Sequence, residues 1–277
     1  MRIRERRERI LEIVRQKQRA SVDDLAEELD ASRETIRRDL TDLAIRGLVR
    51  KFHGGATLPE ANQADEITEG SFHLRIGENV EQKRSIAHTA AKLFSPGDTL
   101  FVDTGSTTIV FAEELGKVSG LTVITNSALI AQAVAKGSGA SRVFLLGGEF
   151  NEEVSETLGP LVINQIQTFH ARHVVLTIGA ITPNGILDFS MAETEVARAM
   201  IEQASEVTVL ADFSKVNKAG LFQLCPLSSI DRLVIDRAPS EPLAAALKNA
   251  NVEVIISGEA DAAEVHLAKR RRGKRVA

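Results

Sequence analysis

Cysteine is almost missing: Cys225 stands alone in 277 residues. One thiol excludes an intrachain disulfide framework and any multi-cysteine zinc site. Placed just before Pro226, it reads as a small buried apolar residue. Tryptophan and tyrosine are absent, so a single-strand platform of stacked aromatics would rest on phenylalanine alone. No apolar run approaches the roughly 18 residues that a membrane span needs. The start MRIRERRERI is charged and no apolar h-region follows it, unlike a secretory signal. A cytoplasmic address without a membrane partner is the expectation. No G-x-x-x-x-G-K-S/T loop occurs, so a P-loop nucleotide site has no support. The 43% hydrophobic and 26% charged residues that remain are those of an ordinary globular chain. At roughly 100–200 residues per domain, the length suggests two domains.

Charge is unevenly spread. The net charge is −4, but residues 1–58 carry 14 basic and 11 acidic side chains, a balance of +3. The tail 269–277 adds six basic residues and no acid, leaving −13 for residues 59–268. A basic head on an acidic body implies that the head meets a polyanion.

The head reads as helical. Residues 4–18 set Ile10, Leu11 and Val14 near one face of an amphipathic helix. Ser21 precedes Val22, Leu25, Ala26 and Leu29 at helical spacing, with Asp24 placed to complete a capping box. After a break at Asp30-Ala31, Ser32 caps a helix whose inner stripe is Ile36, Leu40 and Leu43 and whose end is Gly47. Two short helices joined by a tight turn form a helix-turn-helix. Ser32, Arg33, Thr35, Arg37 and Arg38 fall mostly on the outer side of the second helix, where recognition helices touch bases and phosphates. The segment Leu48 to His53 alternates like a strand before Gly54-Gly55, making a basic wing with Arg50, Lys51 and His53. A solvated basic helix in another small bundle would share the Arg residues, but not the ordered combination of cap, stripe, turn and wing.

Residues 57–74 are polar and acidic, and 59–74 read as a linker. Strand-like runs follow at 99–103, 122–125, 142–146, 173–178, 207–211, 233–236 and 252–256, with helical patterns at 83–93, 107–115, 129–136, 160–169, 192–204 and 242–249. Several runs are continuously apolar, as parallel strands covered on both faces are. The alternation implies an α/β body over 75–257, followed by a basic tail at 258–277 that reads as solvated.

One loop stands out: Asp103, Thr104, Gly105, Ser106, Thr107 and Thr108 leave a strand and enter a helix. Helix N-termini present unpaired N–H groups to anions, and Gly lets a backbone approach closely. Plain helix capping explains the same hydroxyls. Other constellations are weaker. Gly137-Ser138-Gly139 mimics half a dinucleotide fingerprint, but a strand follows it rather than a helix. His170 and His173 lack a third metal ligand and read as helix-end or surface residues, and Glu195 reads as an exposed helix carboxylate. Neither a metal nor a cofactor is expected.

The run SVDDLAEELDASRETIRRDLTDLAIRGLVRKFHGGA, within residues 5–58, resembles the winged helix-turn-helix of DeoR-family transcriptional regulators. The body resembles the family's effector domain over about 72–257, through Phe72, Arg75, Lys83, the loop 103–108, Thr125-Asn126, Leu146-Gly147-Gly148, Glu193 and Ser214-Lys215. The resemblance implies operator DNA as a partner, repression of sugar or polyol catabolic genes, and an α/β effector domain similar to sugar-phosphate isomerases. It further implies that Gly105, Ser106, Thr107, Thr108 and Lys215 hold the phosphate of a sugar or polyol effector, with Asp103, Asn126, Gly148 and Glu193 facing its polyol part. The family usually continues Ser-Lys-Phe-Gly and carries a basic residue four after Glu193; here stand Val216-Asn217 and Ala197. A homodimer or tetramer would match an inverted operator. The alternative is a phosphosugar isomerase or deaminase with an ancillary helical head.

Overall fold

The computed structural model describes residues 3–17, 19–45, 48–52, 54–57 and 72–258, which fall into two compact units divided between residues 65 and 66. Gly47, His53, residues 59–71 of the expected linker and the tail from 259 lie outside the described residues.

The first unit contains α1 (Ile3–Lys17), β1 (Arg19–Ser21), α2 (Val22–Glu28), α3 (Arg33–Ile45), β2 (Arg50–Phe52) and β3 (Gly55–Thr57). Ser21 and Asp24 make both halves of the capping box of α2. At α3, the Thr35 N–H donates to Ser32 Oγ at 3.1 Å. Ile10, Ile13, Val14, Leu25, Ile36, Leu40 and Leu43 bury one face from each of the three helices in a common core. The wing forms as expected, with Gly54 turning at φ +97° between β2 and β3. Its outer neighbour was not anticipated: β1 pairs with β3, giving the order β1-β3-β2.

Asp39, on α3, is 3% exposed. It accepts from Arg6 Nε at 2.6 Å and from Arg7 Nε at 2.8 Å, clamping α1 to α3. Removing one partner of a buried pair leaves the other poorly compensated. Asp39→Ala is therefore expected to destabilise the head by about 2–3 kcal/mol, since both arginines keep some access to water. Denaturant unfolding followed by circular dichroism measures this.

The second unit begins with α4 (Phe72–Gly77), whose first turn falls in the expected linker, and α5 (Val80–Ala91). Phe72 is 2% exposed and anchors α4. There follow β4 (Thr99–Val102), α6 (Ser106–Leu115), β5 (Thr122–Thr125), α7 (Ala128–Lys136), β6 (Arg142–Leu145), β7 (Glu149–Asn151), β8 (Glu156–Leu158), α8 (Pro160–Ile166), β9 (Ala171–Leu176), β10 (Ala180–Thr182), β11 (Gly185–Asp188), α9 (Met191–Glu202), β12 (Ala204–Ala211), β13 (Phe222–Cys225), β14 (Arg232–Ile235), α10 (Leu243–Asn249) and β15 (Glu253–Ile256).

Seven of these strands form one parallel sheet in the order β15-β14-β12-β9-β4-β5-β6. Successive side chains point to opposite faces. Phe101, Val174, Val209 and Leu233 pack with α8, α9 and α10 in one core. Leu100, Val102, Val175, Leu210 and Val234 pack with α5, α6 and α7 in another. The result is a three-layer α/β fold. From β4 the chain winds outward through β5 to β6, then returns to β9 on the other flank of β4 and winds away through β12, β14 and β15. The winding reverses between β4 and β9, and the crevice at such a switch point is where open α/β sheets bind ligands.

The opposite, amino-terminal edge of the sheet is closed by charge. His173, on β9, is 4% exposed, with Asp98 and Glu206 each 3.6 Å away. It is thus neither a helix-end nor a surface residue, and burial holds its imidazole below the usual range. Arg232 bridges Glu206 at 2.5 Å and Glu253 at 3.4 Å. Gly137 and Gly139 serve packing: a Cβ on either would lie 2.1–2.2 Å from the carbonyl oxygens of Gly116 and Val118.

Candidate functional site

On the head, Ser32, Arg33, Arg37, Arg38 and Lys51 are exposed and Thr35 is half-buried. Arg33 pairs with Asp23 at 2.7 Å, and Arg38 with Glu34 at 3.2 Å. Arg37 makes no ion pair among the described residues. Ser32 and Thr35 share a hydrogen bond between their hydroxyls at 2.8 Å. Lys51, on β2, donates to Thr41 at 2.9 Å, and Thr41 donates to the Arg37 carbonyl at 2.7 Å. The wing thereby reaches α3 beside Arg37. Exposed Thr41 belongs to this face and was overlooked; its spacing from Arg37 and Arg38 on α3 was the available signal. Arg50 lies on β2.

On the body, a small cleft opens at the carboxyl ends of β4, β9 and β12. Asp103, Thr104, Ser106 and Thr107 line it from the β4–α6 loop, and Thr177, Ile178 and Gly179 from the end of β9. Arg75, Asp188, Glu193 and Lys215 complete the polar wall. The N-cap of α6 is Gly105, which gives the helix no side-chain cap. Plain capping therefore does not explain the hydroxyls of this loop. By contrast, Ser127 and Ser190 do cap α7 and α9.

Several sequence expectations change in detail. Thr108 is fully buried and its hydroxyl donates to the Gly105 carbonyl at 3.1 Å, so it turns away from the cleft. Gly105 is glycine for a protein neighbour: its φ of 174° is ordinary extended backbone, but a Cβ there would sit 1.9 Å from Thr177 Oγ1. Gly105→Ala is expected to push apart the two loops at the switch point and destabilise the body by about 1–3 kcal/mol, read as a fall in melting temperature. Gly148 lies outside the lining; a Cβ there would meet Val162 at 2.5 Å and the Leu158 carbonyl at 2.6 Å. Asn126, 1% exposed, is also behind the wall. It accepts from Thr104 Oγ1 at 3.1 Å and donates to Glu156 Oε2 at 3.2 Å and to the Thr157 carbonyl at 3.1 Å. Arg75, Thr177, Asp188 and Glu156 were not singled out as site residues by sequence.

Supporting contacts fix the cation. Asp212 caps the turn Phe213–Lys215, accepting from the Ser214 N–H at 2.9 Å and from Asn79 Nδ2 at 3.1 Å. Lys83 donates to the Arg75 carbonyl, and burial lowers its pKa. Val216 packs on the core instead of continuing toward the cleft. Ala197 is buried. Asp103 is held well above the ordinary carboxyl range, first by burial and then by Glu156, Glu193 and Asp188. Burial also raises Glu156, to about 7. The cleft thus offers helix N–H groups, hydroxyls and two cations to an anion, beside carboxyl groups suited to hydroxyls.

Residues 6–62 match the family model of the DeoR-like helix-turn-helix domain, and residues 78–237 that of the DeoR C terminal sensor domain. The HTH-type transcriptional repressor GlcR of Bacillus subtilis is 31% identical over 248 residues, 90% of this chain and 94% of that one. The glycerol-3-phosphate regulon repressor of Escherichia coli is 31% identical over 231 residues, 83% of this chain and 89% of that one. Among solved structures, a D-ribose-5-phosphate isomerase in complex with phospho-erythronic acid is 18% identical, with a TM-score of 0.37 over 50% of this chain and 54% of that one. Among the described residues, no helix is long and apolar enough to cross a membrane. With both family models matched in order along one chain, this protein belongs to the DeoR family of transcriptional regulators.

Proposed function

We propose that the chain is a cytoplasmic repressor of sugar or polyol catabolic genes whose operator binding is modulated by a phosphorylated sugar or polyol. The head, residues 1–58, binds the operator through Ser32, Arg33, Thr35, Arg37, Arg38, Arg50, Lys51 and His53. Residues 59–71 tether it to the sensing body, which begins with α4 at Phe72 and runs to 257, ahead of the basic tail at 258–277. The protein acts as a homodimer or tetramer, because a two-fold protein matches an inverted operator. In the body, Ser106, Thr107, the N-terminus of α6 and Lys215 hold the phosphate, while Asp103 and Glu193 accept hydrogen bonds from hydroxyls. The observation that carries this reading is the uncapped N-terminus of α6, which faces the cleft beside Lys215 and Arg75. The effector binds one arrangement of the protein better and so changes its DNA affinity by linkage. No turnover of the effector is involved.

The experiment is a panel of phosphorylated sugars and polyols, each with its unphosphorylated parent. Thermal shift reports binding, operator release reports response, and product analysis reports turnover. The expected outcome is stabilisation and release by a phosphorylated member without conversion, and little effect from its unphosphorylated parent. Conversion of a panel member without operator release would favour the enzyme instead.

A further inference from the structure

Three carboxyl groups line the cleft, Asp103 after β4, Asp188 on β11 and Glu193 on α9, and a fourth, Glu156 on β8, lies behind the wall within electrostatic reach of Asp103. The cations facing them are Arg75 of α4 and Lys215 of the turn after β12. Lys83 of α5 lies behind, near Asp212, with its ammonium on the Arg75 carbonyl. No histidine is among the described residues that line the cleft. Glu156 is 1% exposed; Asn126 donates to its Oε2, but its Oε1 has no hydrogen-bond partner among the described residues. A buried carboxylate with an unsatisfied oxygen is costly as an anion and far less so as an acid. Glu156 is also wired to the phosphate loop, through Asn126 to the hydroxyl of Thr104, the residue before the N-cap of α6.

The proposed function places a phosphate dianion at that N-terminus, and coupling that dianion to a proton rests on the same reading. We propose that the cleft admits its dianionic ligand together with a proton on the Asp103–Glu156 carboxyl pair, so that effector recognition weakens as pH rises above neutrality. The dianion enters a space already crowded with negative charge, and protonating the innermost carboxyls relieves the repulsion. The direction follows from linkage. Burial sets Glu156 near 7 in the free protein, and the ligand raises it further. Below pH 7 the acid is already protonated and binding takes up no proton there. Above pH 7 each binding event takes one up, and affinity falls by up to about tenfold per pH unit. Burial and neighbouring carboxylates also hold Asp103 above the ordinary carboxyl range.

Inorganic sulfate is the probe, because it stays a dianion across the range in which a phosphate ester and these carboxyls titrate. Its affinity for the full chain is measured by isothermal titration calorimetry between pH 6.5 and 8.5. At pH 7.5 the measurement is repeated in two buffers of different ionisation enthalpy, which counts protons without any substitution. The expected result is a decline approaching tenfold per unit well above pH 7 and an uptake of roughly 0.8 proton at pH 7.5. Glu156→Gln, which keeps the shape and stays neutral, should show a nearly flat profile and little uptake. A flat profile with no proton uptake in the parent overturns the proposal, and so does an unchanged slope in Glu156→Gln. Thr107→Glu separates the two ideas. If it loses sulfate while the parent profile is flat, the cleft stands and only the proton coupling falls. If it binds sulfate as the parent does, or if the parent binds none at any pH, the anion-binding reading of α6 falls with it.

Discussion

Thr107→Glu is expected to bind operator within about twofold of the parent, yet to ignore a phosphorylated effector that releases the parent protein. Thr107 lies one residue inside α6 and lines the cleft with Ser106. A glutamate there brings a carboxylate into the space assigned to the phosphate. The ligand then loses charge-assisted hydrogen bonds, each worth about 1.5–3 kcal/mol, and meets like charge as well. Together these lower effector affinity by roughly 100-fold or more. The carboxylate itself suits a helix N-terminus, so the body should stay folded. Lys215→Ala removes one point charge from the same site and should shift the release curve more mildly. Operator release titrated by fluorescence anisotropy measures both. Release of Thr107→Glu at parental effector concentrations would move the effector site elsewhere in the body.

The sheet was legible because parallel strands covered on both faces leave continuous apolar runs. The run from His173 through Leu176 and that from Val207 to Ala211 are such cases. The strands that went unseen are three or four residues long and lie outside the main sheet: β1, β7, β8, β10, β11 and β13. At that length alternation carries no statistical weight, although Asn184-Gly185 between β10 and β11 is a turn signal that can be read directly. The helix α4 hid for a different reason. It follows a polar acidic stretch, and only its burial of Phe72 marks it as part of the body.

The cleft was half legible. The loop 103–108 and Lys215 announce themselves as polar residues after apolar strands. Thr177 and Asp188 do not, because they meet that loop only through the reversal of winding between β4 and β9, which no local pattern encodes. The glycines mislead for a related reason. Gly105 and Gly148 look like openings for a ligand, whereas each makes room for a neighbouring part of the chain. The family resemblance implies Asn126 as a ligand contact; in the structure it ties Thr104 to Glu156 behind the wall.

For the head, Arg37→Ala should weaken operator binding by about 1–3 kcal/mol, or roughly 5- to 150-fold, if the guanidinium reads a base edge. Fold stability should change little, because Arg37 is exposed while Ile36, Leu40 and Leu43 hold α3 in the core. The three arginines of α3 should not be equivalent. Arg33 and Arg38 each have an acidic partner on the head, Asp23 and Glu34, and DNA must compete with those pairs. Arg37 has no such competitor among the described residues, and its neighbour Thr41 anchors Lys51 of the wing to the same face. Its loss should therefore exceed that of Arg33→Ala or Arg38→Ala. Salt dependence then tells what Arg37 touches. If the guanidinium sits on a phosphate, removing it lowers the slope of log affinity against log salt by about one and weakens all sequences alike. If it sits on a base edge, removing it leaves the slope nearly unchanged and relaxes discrimination at one operator position. An unchanged operator affinity for a folded Arg37→Ala variant would take α3 out of the groove and leave the basic charge of the head without its assigned role.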